Sequence, residues 1–197
     1  KVAVVDRNED AAKAVVDEIN SDGGVAIALC GDLTKEDFSR EIVTETVRHF
    51  GSINFAWNHV GYPGPAAFED VDLAEFDLTY NLNLRTVIAT TTEAIPHFRK
   101  AGGGSVLFTA SSSGLVGSPF SPAYSMAKWG VIGLSRSLAK RHGGEGMRFN
   151  VVAPGTTDTP MLRTFVARPD QKNTQGKDVE ELVKARGGVN PMGRPAR

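Results

Sequence analysis

The chain opens on an apolar, β-rich run from Lys1 to Asp6, and after Asn8 the apolar residues Ala12, Val15, Val16 and Ile19 recur at i, i+3, i+4 and i+7. The first pattern predicts a strand and the second a helix with one buried stripe, closed by Gly23 and Gly24. VAIAL predicts a second strand leading to Gly31, Asp32 and Leu33, after which Thr34 is expected to cap a helix carrying Phe38, Ile42, Val43, Val47 and Phe50. INFAW follows as a strand and gives way to NHVGYPGP. From Asp72 to about Lys100 the spacing is helical, with Asn83 inside it. GSVLFTA is a further strand that delivers Ser111 at its end, and MRFNVVA runs into Pro154 and Gly155.

Near-continuous apolar strands alternating with helices predict an α/β fold, a doubly wound parallel sheet in a single domain. In such sheets ligands bind beyond the carboxyl ends of the strands, and Asp6, Asp32, Asn58, Ser111 and Pro154 all lie at or just after such ends. From Thr156 onward polarity rises and the pattern weakens, so residues 156–190 are expected to form a flap over the site.

Composition narrows the function classes. With 197 residues, 41% hydrophobic, the chain can bury a sizeable core. A net charge of −1 without a basic stripe argues against nucleic-acid or membrane-surface binding, and no apolar run approaches the roughly 20 residues of a membrane span. The single cysteine, Cys30, suits a reducing compartment and a cytoplasmic location, and four scattered histidines offer no metal site. The first residue is a lysine already inside a strand pattern and NPMGRPAR ends without a terminating element, so a longer natural protein is expected.

Chemistry concentrates between Ser111 and Lys128. Ser121 suits an N-cap and Pro122 the first helical position, so Tyr124 and Lys128, four apart, share a helix face with Cβ atoms about 5–6 Å apart. A tyrosine of pKa about 10 needs a depression of around three units, on the order of 4 kcal/mol, to shuttle protons near neutrality. A cation ~4 Å away at an effective dielectric of ~20 supplies about that much before desolvation is subtracted, and the helix dipole adds to it. Asn83, a polar amide in an apolar helix, is costly unless bonded, with Asn81 as its competitor. No GxSxG elbow surrounds Ser111, Ser112 or Ser113, which removes a serine-hydrolase reading.

YxxxK with Ser111 thirteen residues earlier, followed by NVVAPG and a threonine, resembles the short-chain dehydrogenase/reductase family of classical type. The resemblance covers essentially the whole chain, as a partial dinucleotide-binding and catalytic domain. It implies hydride transfer between NAD, with NADP less favoured, and a small secondary alcohol or ketone. Tyr124 would take the hydroxyl proton, Ser111 would hold the substrate oxygen, Lys128 would lower the tyrosine pKa and bond the nicotinamide ribose, and Asn83 would hold a relay water. The family usually has glycine where Thr86 stands. Asp6 would receive the adenosine ribose, with Arg7 beside it able to welcome a 2′-phosphate instead. Asp32 and Leu33 would flank the adenine.

NHVG resembles the family's NNAG, with Asn58 and Gly61 in place and His59 and Val60 departing. Beyond Gly155, the Thr157 N–H would meet the carboxamide and Thr159 the nicotinamide end. The family's glycine-rich phosphate loop is not in the chain, and its first strand would fall between the strands at Lys1 and Ile53. A segment on the order of 30 residues ahead of Lys1 and a strand after Arg197 are therefore expected. The resemblance also implies a homo-oligomer, tetramer or dimer. Pro160, Met161, Leu162 and Phe165, with Tyr62 and Phe120, suggest a hydrophobic or cyclic substrate. A sugar-nucleotide epimerase or dehydratase, which shares YxxxK, and an NAD-binding sensor without turnover, against which intact Ser111, Tyr124 and Lys128 argue, stand as alternatives.

Overall fold

The computed structural model describes residues 1–188 and 190–196. Strand β1 (Val2–Asp6) passes through helix α1 (Glu9–Ser21) to β2 (Ala26–Cys30), which pairs with it in parallel, Val2 opposite Ala26. Asn8 starts α1 by accepting the Ala11 N–H at 3.1 Å, and Glu9 and Asp10 put negative charge where the helix dipole favours it. Helix α2 (Glu36–Phe50) is capped by Lys35 without a side-chain bond. Thr34 does not serve as the cap, because its hydroxyl donates back to Asp32 Oδ1 at 2.7 Å.

A second parallel sheet holds β3 (Phe55–Asn58), β4 (Gly104–Thr109) and β5 (Met147–Val152) in that order. Among the described residues β1 pairs with β2 alone and β3 with β4 alone. The strands thus divide into two groups. Between β3 and β4 run α3 (Leu73–Tyr80), a π-helical turn (Asn81–Arg85) and α4 (Thr86–Lys100) as one continuous rod. The apolar spacing predicts the rod and not the wide turn, in which the Thr86 N–H reaches the Asn81 carbonyl five residues back. The remaining helices are α5 (Ser113–Val116), α6 (Pro122–His142), α7 (Pro160–Val166) and α8 (Val179–Gly187).

Helix α6 packs on β4 and β5, and α4 packs on α2 and on β3 and β4. The core between them gathers Val43, Val87, Phe98, Val106, Phe108, Val131 and Phe149. Each such side chain contributes roughly 1.5–3 kcal/mol on burial, which fixes the carboxyl end of β4 against α6. A smaller cluster of Leu162, Val166 and Val183 joins α7 to α8, giving the polar region after Thr156 its own ordered centre. No helix among the described residues is long and apolar enough to cross a membrane.

Candidate active site

The carboxyl end of β4 delivers Ser111, and the loop that carries it is pinned from two sides. The Ser112 N–H donates to the Pro154 carbonyl at 2.8 Å, and the Ser113 N–H donates to Ser111 Oγ at 3.2 Å. Gly114 then passes so close to α6 that a Cβ there would stand 2.8 Å from the Lys128 carbonyl oxygen. Only glycine permits this approach.

Tyr124 and Lys128 lie one turn apart on the inner face of α6, 6% and 2% exposed. Ser121 precedes the helix but makes no capping bond through its side chain. Its hydroxyl donates to the Phe120 carbonyl at 2.6 Å and accepts from Arg168 at 2.9 Å, so the expected cap is spent on another contact. The Tyr124 ring meets Phe165 of α7 edge to face, with centroids 4.9 Å apart.

Electrostatics in this cleft run against the expectation drawn from spacing. The Lys128 ammonium stands 5.4 Å from the centre of the Tyr124 ring and donates to the Thr109 carbonyl at 3.0 Å. Burial pushes the Tyr124 phenol up to about 12, with the neighbouring Ser111 hydroxyl pulling the other way. Burial likewise pushes Lys128 down to about 8. Loss of water sets the direction of both shifts, and the ammonium finds its partner in a backbone carbonyl.

Behind these groups sits Asn83, fully buried in the π-helical turn. Its amide nitrogen donates to the Tyr62 and Thr79 carbonyls, both at 2.8 Å, and its Oδ1 accepts the Tyr62 N–H at 3.3 Å. Asn81, the competitor by sequence, is only half-buried. Gly61 closes the cluster: a Cβ on it would lie 3.1 Å from Asn83 Oδ1 and 3.4 Å from Lys128 Nζ. His59 bonds Thr109 Oγ1 through Nδ1 at 2.9 Å, and its pKa is lowered by burial and then by Lys128.

A cleft of about 850 Å³ opens over this end of the sheet, walled by Gly61, Ser111, Tyr124, Lys128, Gly155, Thr157, Thr159 and helices α7 and α8. Thr159 caps α7, accepting the Leu162 N–H at 3.4 Å. The Asp158 N–H donates to the Ala196 carbonyl and the Ala196 N–H to the Thr156 carbonyl, while the Thr157 N–H between them has no partner among the described residues.

Asp6, Asp32, Leu33 and Asn58 lie outside the walls of the cleft. Asp6 accepts the Asn8 N–H at 2.8 Å in the turn into α1. Asp32 is held below its ordinary value by the Thr34 hydroxyl and N–H. The Asn58 side chain ties β3 to α4, accepting from Thr90 at 2.7 Å and donating to Thr91 at 3.4 Å.

One contributor is absent from the sequence reading. Arg168, 4% exposed, donates to the carbonyls of Pro63 and Gly64, to Ser121 Oγ and to the Phe120 carbonyl, joining the flap to the start of the Tyr124 helix. An arginine in the weakly patterned stretch TFVARPD reads as solvated, and its acceptors come from two distant segments.

Residues 1–170 match the family model described as short chain dehydrogenase, and the chain belongs to that family. It is an oxidoreductase of the class that acts on alcohols and ketones. Its relatives include an uncharacterised oxidoreductase of Thermotoga maritima, 34% identical over 195 residues, covering 98% of this chain and 74% of that protein. Levodione reductase of Leifsonia aquatica is 34% identical over 198 residues, covering 98% and 72%. Cyclohexanol dehydrogenase of an Acinetobacter strain is 33% identical over 194 residues, covering 98% and 71%. A crystal structure of levodione reductase superposes with a TM-score of 0.88 at 31% identity over 100% of this chain and 75% of that one.

Proposed function

We propose that the chain catalyses reversible oxidation of a cyclic secondary alcohol with NAD, using Tyr124, Ser111, Lys128 and Asn83. The reading is carried by the convergence of Ser111, Tyr124 and Lys128 on one cleft at the carboxyl end of β4. Tyr124, as the phenolate, would take the hydroxyl proton, and Ser111 is placed to donate to the substrate oxygen. Lys128 supplies positive charge beside the phenol, and Asn83 holds the adjoining loop at Tyr62. Because both amide hydrogens of Asn83 are engaged, a proton relay toward Lys128 runs past its Oδ1.

The residues fit a nicotinamide nucleotide. Gly61 gives close backbone access, the Thr157 N–H is available to a carboxamide, and Gly155 and Thr159 line the same wall. Asp6, Asp32, Leu33 and Asn58 belong to the adenosine side in this reading, and the Asp6 carboxylate disfavours a 2′-phosphate. When bound, the nucleotide accepts or returns the hydride. Residues 156–190, with α7 and α8, act as the substrate flap. Their apolar face, with Leu162 and Phe165, and relatives named for levodione and cyclohexanol support a ring-shaped substrate.

The test follows nicotinamide absorbance with NAD and NADP separately over a panel of cyclic and acyclic secondary alcohols and their ketones. Turnover of cyclohexanol with NAD is expected. Nucleotide binding without turnover of any substrate would replace this reading with that of a sensor.

A further inference from the structure

The cleft wall is unbalanced in charge. Among the described residues three of those lining it are cationic, Lys128, Arg168 and Arg186, and none is an aspartate or glutamate. Lys128 is engaged beside the phenol. The other two belong to the flap, Arg168 over the Phe165 ring and Arg186 over the Phe120 ring.

Arg168 is buried, yet among the described residues every bond it makes goes to an uncharged oxygen, and its Nε has no partner there. Its guanidinium sits over the Phe165 ring at 4.9 Å, and that ring in turn meets Tyr124. The neighbouring carboxylate, Asp170, is occupied by the Ala66 and Ala67 N–H groups at 2.6 and 2.8 Å. Burial holds the Arg168 pKa down to about 10, with Asp170 opposing and Arg186 adding to the effect. Burying a cation among neutral acceptors is costly, and with the nearby Asp170 carboxylate shared by two backbone N–H groups the cost is further relieved by an anion brought in from outside.

Arg186, in the last turn of α8, is half-buried and makes no ion pair among the described residues. Its guanidinium is held over Phe120 at 4.9 Å, which fixes it at the cleft wall. Guanidinium groups prefer planar carboxylates, which they bind through two parallel hydrogen bonds.

Resting on the alcohol-oxidation reading above, we propose that the substrate is a hydroxy acid, or its keto-acid product, whose carboxylate is received by Arg186 with Arg168 beneath it. The apolar body of such a substrate packs on Phe165 and Leu162, and its hydroxyl points to Tyr124 and Ser111. Arg186 is then the specificity-determining residue.

Titration calorimetry on the full-length protein saturated with NAD decides the matter without requiring turnover. Cyclohexanecarboxylate is compared with its neutral analogue cyclohexanecarboxamide, in the natural protein and in Arg186→Gln. The acid is expected to bind at least tenfold tighter, and Arg186→Gln to remove that preference while Arg186→Lys restores part of it. Equal binding of acid and amide in the natural protein overturns the proposal, and that comparison stands even if the variants fail to fold. A preference that survives Arg186→Gln overturns it too, as does a loss confined to nucleotide affinity, which would assign the arginine to a phosphate. Acid preference without turnover of 4-hydroxycyclohexanecarboxylate would sink the oxidoreductase mechanism alone. Turnover of cyclohexanol without acid preference would sink the carboxylate site alone.

Discussion

The Lys128 ammonium donates to the carbonyl oxygen of Thr109 at 3.0 Å and lies 5.4 Å from the centre of the Tyr124 ring. The charge is therefore anchored to the end of β4, beside the phenol instead of bonded to it. In the cleft both groups are held toward their neutral forms, the tyrosine as a phenol and the lysine with a weakened hold on its proton.

That arrangement sets a stability profile in alkali. Between about pH 8 and the ordinary lysine value of 10.5, the folded protein gives up the Lys128 proton while the unfolded chain keeps it, so stability rises with pH. Between the ordinary tyrosine value of 10.0 and about 12, the unfolded phenol ionises while the folded one does not, so stability falls. Urea midpoints measured from pH 7 to 12 are expected to peak near pH 10. In Lys128→Met the rising limb, worth on the order of 2–3 kcal/mol, should disappear while the falling limb remains.

Tyr124→Phe removes the proton acceptor and keeps the ring that packs on Phe165. Turnover should fall by about 10²–10⁴ or more, with nucleotide affinity, read by fluorescence titration, within about threefold. Parallel loss of both would mean that the hydroxyl holds the structure together.

Asn83→Ala leaves the Tyr62 and Thr79 carbonyls without their donors in a fully buried place. Each unmet group costs about 1–3 kcal/mol, so a drop of about 2–4 kcal/mol in unfolding free energy is expected. Turnover should fall with it, because the Tyr62 segment that Asn83 holds borders Gly61. An unchanged urea midpoint would show that the amide bonds contribute nothing net.

Gly114→Ala forces a methyl against the Lys128 backbone, where the nearest atoms would lie 2.8 Å away. Overpacking of this kind costs about 1–3 kcal/mol, and relief comes most easily by moving the Ser111 loop away from α6. The expected result is a lowered kcat with nearly unchanged nucleotide affinity. A crystal structure of the variant with Ser111 undisplaced would contradict the explanation.

What the sequence disclosed and what it concealed divide along physical lines. Strand and helix order follow from apolar period, and the separation of Tyr124 and Lys128 along α6 follows from local spacing alone. Asn83 was conspicuous because an amide in an apolar run must find partners. The sign of the pKa shifts was hidden, since desolvation depends on walls supplied by α7 and by the Pro154 loop. Arg168 was hidden for the same reason, its acceptors at Pro63, Gly64, Phe120 and Ser121 being remote in sequence. The caps assigned to Thr34 and Ser121 suited their positions by residue type, but each hydroxyl found a different partner.

The wide turn between Asn81 and Arg85 carries a consequence for the chain's tolerance of insertions and deletions. It holds one residue more than a regular turn, and each residue advances a regular helix by about 100°. Deleting a single residue there would close the wide turn into a regular one with Thr79 and Thr86 nearly in phase, whereas adding a further residue would swing Thr79 and everything before it round to another side of the rod, pulling the Tyr62 segment away from Lys128. Homologues one residue longer inside this window should therefore differ in catalysis even with every reacting side chain retained.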